Sequence, residues 1–163
     1  MALITDRFRD ETQYGRMQET EMMQLSPIEE FRGAVEMGGE TVEVDRNANI
    51  FLAGELAETL DLLLSGSVRL WYPRAGDDPL LVGVIRAGQL LEPGPFFLGG
   101  VHGTSASTIT PCRILRVRRE ALEEAMACRA DLRVPLLELL RDAMDHSIRV
   151  ARFLRTAHLS PAI

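Results

Sequence analysis

Three histidines, two cysteines and the acidic residues are the side chains from which a metal or catalytic centre would have to be assembled in this chain of 163 residues. His102 stands alone in its segment, while His146 and His158 lie on or after what reads as the last helix. A metal site in a β-barrel enzyme needs closely spaced imidazoles with a carboxylate on neighbouring strands, and this distribution supplies none. Cys112 and Cys128 are too few and too far apart for a zinc knuckle, and neither belongs to a Cys-x-x-Cys pair, so both read as reduced thiols. There is no glycine-rich phosphate loop, no Gly-x-Ser-x-Gly elbow and no Cys/His pairing at motif spacing. The expectation is a protein that is not an enzyme and holds no metal. One stretch stays open: Leu90 to Gly103 carries glycines, two prolines and the adjacent Phe96 and Phe97, resists regular assignment, and is either a functional loop or a plain connector.

The elements that would position such a loop are legible from their punctuation. Between Asn49 and Tyr72 the apolar runs Ile50–Leu52, Leu60–Leu64 and Val68–Tyr72 are each cut short by a glycine-bearing turn, as antiparallel strands are. Gly54 and Gly66 fall where a reversing chain needs positive φ, and Ser65 and Ser67 flank the second turn. Thr41–Val44 precedes these strands, Leu80–Ile85 forms a hairpin with Val68–Tyr72, and Ser105–Ile109 and Arg113–Val117 follow. Residues 118–126 have helix-forming composition. Ser26-Pro27-Ile28-Glu29 has the capping-box order and starts a short helix from Pro27 to Val35. Residues 1–25 are polar and methionine-bearing without a regular stripe, and read as an arm or a loosely packed helix. Pro135 suits the first turn of a long last helix reaching about Thr156.

Hydrophobic residues at 46% and charged residues at 26% are ordinary for a globular domain. No run reaches the roughly 18 apolar residues of a membrane span, and the N-terminus does not have the form of a secretory signal, so no membrane partner and a cytoplasmic location are expected. The net charge of −6 argues against attraction of the whole chain to nucleic acid. All 18 basic residues are arginine, a compositional bias without functional weight.

The order extended run, Ala53-Gly54-Glu55, Ala57-Glu58-Thr59-Leu60, apolar run, Ser65-Gly66-Ser67-Val68 resembles the cyclic-nucleotide-binding domain of the catabolite activator type. The matches with most specificity are Gly54, Glu55, Ala57, Glu58, Gly66, Ser67, Val68 and Gly88, and the likeness extends over about 26–157. It implies a mainly β fold with flanking helices: a jelly-roll-like β-roll, or double-stranded β-helix, over 26–132, followed by a helix and tail over 133–163. It also implies a regulatory role. In that family a loop reading Gly-Glu-Leu-Gly or -Ala, followed after a gap by Arg-Ser or Arg-Thr and Ala, cradles the cyclic phosphate. The arginine neutralises the phosphate and the glutamate accepts the ribose hydroxyl. On this pattern the ligand residues are Leu91, Glu92, Gly94, Phe96, Thr104, Ser105 and Ala106. The arginine has no counterpart, its place falling on Thr104, or on Gly103 or His102 with a different gap, and Pro93 and Pro95 remove two N–H groups.

The expectation is therefore a regulatory or sensor module with a degenerate pocket, acting through protein contacts or an unidentified small ligand, with no cofactor and with cyclic nucleotide disfavoured. The alternatives are a cyclic AMP- or cyclic GMP-binding regulator, a transcription regulator cut short of its helix-turn-helix, and a cupin-like enzyme. Sequence-specific DNA binding by the isolated chain is not expected. On the last helix Leu136, Leu140, Ala143, Ser147, Val150 and Leu154 recur in steps of four and three, a heptad seam that predicts a homodimer. Leu137, Met144 and Ala151, beside it, are expected to pack back on the β-roll.

Overall fold

The computed structural model describes residues 29, 31–33 and 38–158, with side chains as far as residue 152. The polar arm over 1–25 lies outside the described residues, and of the helix expected over Pro27–Val35 residues 29 and 31–33 are described and are helical. The strands are β1 (Gly39–Val44), β2 (Asn49–Phe51), β3 (Thr59–Ser65), β4 (Ser67–Tyr72), β5 (Leu80–Arg86), β6 (Leu90–Leu91), β7 (Ser105–Thr108) and β8 (Cys112–Arg118). The helices that follow are numbered here α1 (Pro93–Leu98), α2 (Arg119–Cys128) and α3 (Arg133–His158), with a 3-10 turn at Ala130–Leu132. The strands form two antiparallel four-stranded sheets in the orders β1-β8-β3-β6 and β2-β7-β4-β5, a β-roll capped by helices.

The near-continuous apolar run of β3 follows from its place between two layers. Leu60 and Leu62 join a cluster with Phe31, Phe96, Leu122, Leu136 and Leu139, which tie the helices to the first sheet. Leu63 faces the other way, into a second cluster with Phe51, Val68, Leu70, Val82, Ile85 and Ile114 between the two sheets. The stretch without a regular assignment contains the short strand β6 and the six-residue helix α1. Two prolines at its start and a left-handed Gly99 after its end confine that helix to little more than one turn. Arg119, at the start of α2, donates to the Phe96 carbonyl oxygen and lies over the Phe96 ring at 4.6 Å, which locks α1 to α2.

The turn between β3 and β4 depends on glycine. Gly66 has φ 92°, and a Cβ there would stand 2.4 Å from the Pro111 carbonyl oxygen and 2.7 Å from Cys112 Sγ. Left-handed strain alone costs an L-residue about 1–2 kcal/mol, and the backbone oxygen has little room to yield. Gly66→Ala is therefore expected to lower Tm by upward of about 4 °C. A variant that melts with the wild type in a calorimetric scan contradicts this.

Candidate functional site

Glu92 is the hinge between β6 and α1, a non-glycine residue at φ 38°, ψ 62°. That backbone turns its carboxylate toward the 102–104 segment, which donates to it three times. His102 Nδ1–H reaches Oε2 at 2.8 Å, and the Thr104 N–H and hydroxyl reach Oε1 at 3.2 and 3.1 Å. His102 is buried, its ring stacked on Phe51 at 3.7 Å and 9°, and its backbone exchanges 2.8 Å bonds with Gly54 and Glu55. The histidine that stands alone in sequence is thus the partner of the principal carboxylate. Its ten-residue separation from Glu92 crosses a helix and a turn, which no local spacing rule reports.

The other expected ligand residues are dispersed by the fold. Leu91 and Ala106 belong to the core between the sheets, and Phe96 to the core beneath the helices. Ser105 Oγ accepts the Ala53 N–H at 2.9 Å, and Gly94 is exposed. Glu92 and Thr104 remain together on the wall of a cavity of about 190 Å³, with Leu70, Val82, Ile85, Leu90 and Gln89. Among the described residues no arginine lines it: Arg86 and Arg113 are exposed, and Arg69, next to Leu70, donates to Ser107 and Asn47.

The roof of this cavity is α3, which contributes Ala143, His146, Ser147, Val150 and Ala151. The seam expected to meet a second chain is turned mainly toward the protein's own β-roll. Leu136 is buried with Leu139, Leu140 packs against the same cluster, and Ala143 and Val150 cover the cavity. Ser147 touches the rim but is exposed, and the Leu154 side chain is outside the described residues. Conversely Leu137 and Met144, expected to pack inward, are each 64% exposed, and Ala151 is exposed at the cavity's rim. The cause is the β-roll itself: the helix lies down along the larger apolar surface, and Leu132 and Leu139 set its rotation.

Beyond Phe51 and His102 lies a second, polar recess bordered by Asp61, Arg116, Glu55, Glu58 and Arg118. Asp61 is 4% exposed, accepts from Thr59 Oγ1 at 2.8 Å and from Arg116 Nε at 3.3 Å, and pairs with Arg116 across β3 and β8. Burial raises its pKa above 3.8, against the opposing pull of the Arg116 charge and the Thr59 bond. The folded state thus holds this proton more tightly than the unfolded chain does, so the contribution is full below 3.8 and fades as pH rises through the raised folded value. In urea unfolding, Asp61→Asn should gain stability relative to wild type as pH climbs through that window. A difference that is constant with pH, or that moves the other way, contradicts it.

Residues 41–128 match the family model of the cyclic nucleotide-binding domain. No curated protein matches the chain by sequence. Its fold is similar to that of the Thermus thermophilus catabolite activator protein, at 21% identity and a TM-score of 0.64 over 80% of this chain and 63% of that one. A cyclic nucleotide-binding domain from Methylobacillus flagellatus gives 17% identity and a TM-score of 0.69, over 83% of this chain and 76% of the other. The sensor domain of the transcriptional regulator DNR from Pseudomonas aeruginosa gives 17% and 0.58, over 84% and 95%. The chain therefore spans less than two thirds of the Thermus thermophilus protein. At these identities the structural likeness is one of fold.

Proposed function

The chain belongs to the cyclic nucleotide-binding domain family, and from that premise we propose that it is a non-enzymatic regulatory module whose pocket has lost the family's cyclic-phosphate chemistry. The observation that carries the proposal is the charge of the cavity. Among the described residues its lining includes Glu92 and no arginine, so an entering phosphate meets a carboxylate and no described guanidinium. The bonds from His102 and Thr104 to Glu92 occupy the groups that could otherwise turn toward an anion. Signalling then passes through another small ligand or through protein contacts. Residues 26–132 act as the β-roll unit, 133–163 as helix and tail, and 1–25 as an arm.

A homodimer through α3 belongs to the same proposal, on the face that the β-roll leaves bare. Val134, Leu137, Met144 and Ile148 are 48–64% exposed and recur in steps of three, seven and four. That is heptad spacing, and a second copy of the stripe is its natural complement. The net charge of −6 favours a protein partner over nucleic acid. No described helix is long and apolar enough to cross a membrane, and a cytoplasmic location is proposed. Calorimetric titration with cyclic AMP and cyclic GMP tests the central point: low-micromolar binding of either overturns it.

A further inference from the structure

The polar recess beyond Phe51 and His102 has a volume of about 550 Å³, within the roughly 300–1,000 Å³ of small-molecule pockets. In the register of its sheet Arg116 of β8 stands between Glu40 of β1 and Asp61 of β3, and it is taken by Asp61 at 3.3 Å. The side chains of Glu40, Glu58 and Arg118 make no hydrogen bond or ion pair among the described residues, and that of Glu55 accepts only the Leu52 N–H. The lining thus sets four carboxylates against two guanidiniums, one of which is already neutralised, so its balance is negative. An acidic rim alone attracts any counter-ion. His102 adds a directed acceptor: at 7% exposure and stacked on Phe51, it gives its Nδ1–H to Glu92, which leaves the lone pair of the neutral ring on Nε2. That nitrogen has no partner among the described residues, yet it is not sealed off, since the one enclosed side-chain nitrogen or oxygen without a partner there is His146 Nε2. His102 lines the recess and not the cavity beneath α3, so the free lone pair opens into the recess. Among the described residues no group of three His, Cys, Asp or Glu side chains could hold a metal ion, so these acceptors call for a ligand that brings its own N–H donors.

We propose that the recess is a second ligand site and takes a small organic cation bearing N–H groups, a guanidinium or primary ammonium compound, with one N–H on His102 Nε2 and its charge among Glu40, Glu55 and Glu58. Hydrogen bonds from such a cation to carboxylates are charge-assisted, the stronger kind. An anion meets repulsion from the same side chains, and a neutral molecule forgoes their attraction. Arg118 reduces that attraction without reversing it, one charge against three. The site is separate from the cavity beneath α3, and its occupancy does not depend on what that cavity takes. The two meet at His102: Nε2 holds the occupant of the recess while Nδ1 holds Glu92 on the cavity wall, so the occupant fixes the ring that orients Glu92.

The test titrates the whole chain with agmatine, tetramethylammonium, urea and acetate and follows the imidazole nitrogen resonances, of which three histidines supply few. Agmatine should shift the His102 Nε2 resonance to saturation. Tetramethylammonium, a cation without N–H groups, and urea, which has N–H groups and no charge, should each bind at least about 10-fold more weakly, and acetate should not compete. Glu58→Gln and Glu40→Gln, both at exposed positions, should each weaken agmatine about 2- to 5-fold. Glu123→Gln, exposed on α2 and outside the recess, should leave its affinity unchanged. The inference is overturned if agmatine leaves the His102 resonance where it was, or if tetramethylammonium binds as well as agmatine, which marks a diffuse acidic surface. It is overturned equally if Glu58→Gln and Glu40→Gln have no effect, or if Glu123→Gln weakens binding as much as they do. Titration with cyclic AMP is a separate arm that decides the cavity beneath α3 alone.

Discussion

Titrated with cyclic AMP or cyclic GMP, the protein is expected to give no heat of binding at micromolar concentrations. The cyclic phosphate brings a full charge into a cavity whose only ionic side chain on the β-roll side, among the described residues, is Glu92. On the proposed reading Thr104 stands in place of the guanidinium; its N–H and hydroxyl are both given to Glu92 at 3.2 and 3.1 Å. Removing one partner of a buried, hydrogen-bonded charge pair costs about 2–5 kcal/mol, which is a loss on the order of 30- to 5,000-fold in affinity. Repulsion by Glu92 adds to that loss. Arg86 and Arg113 are the side chains from which a substitute charge could come, and both are exposed and absent from the cavity wall. Low-micromolar binding that disappears on Arg86→Ala or Arg113→Ala would show that one of them swings inward, and would defeat the argument.

The second large effect separates the two faces of α3. Met144→Glu with Ile148→Glu should dissociate the dimer and leave the fold intact, because both side chains are exposed in the single chain, at 64% and 48%. In a two-fold interface each substitution occurs twice. Uncompensated charges buried there should weaken the dimer on the order of a thousandfold, or about 4 kcal/mol. Leu136→Glu should do the opposite. At 6% exposure that side chain is part of the core shared by Phe31, Phe96 and Leu139, so a carboxylate there unfolds the chain before any interface is reached. Sedimentation velocity and circular dichroism on the two variants decide between the faces. A wild type that sediments as a monomer at micromolar concentration, or a Met144/Ile148 variant that stays dimeric, rules out this interface.

How much of this was readable beforehand follows from the range of the interaction concerned. The strands announce themselves because a turn is a local event: Gly66 needs positive φ, Ser65 and Ser67 flank it, and the apolar runs on either side are each about one strand long. The family likeness rests on the same short-range order, and residues 41–128 place the chain there. The short helix α1 escaped, since a single turn bounded by prolines and glycines has the composition of a loop and is held by Arg119, more than twenty residues away.

The amino-acid order thus determined the β-roll, its turns and the long last helix with its two apolar stripes. Only the tertiary structure decided which stripe lies inward, that His102 partners Glu92, and that His146 is left without a partner under the helix. The physical reason is that apolar periodicity specifies a face but not what covers it. Rotation about the helix axis is settled by the total area buried, and here the two-sheet β-roll offers more apolar surface than the helix could choose from its own sequence.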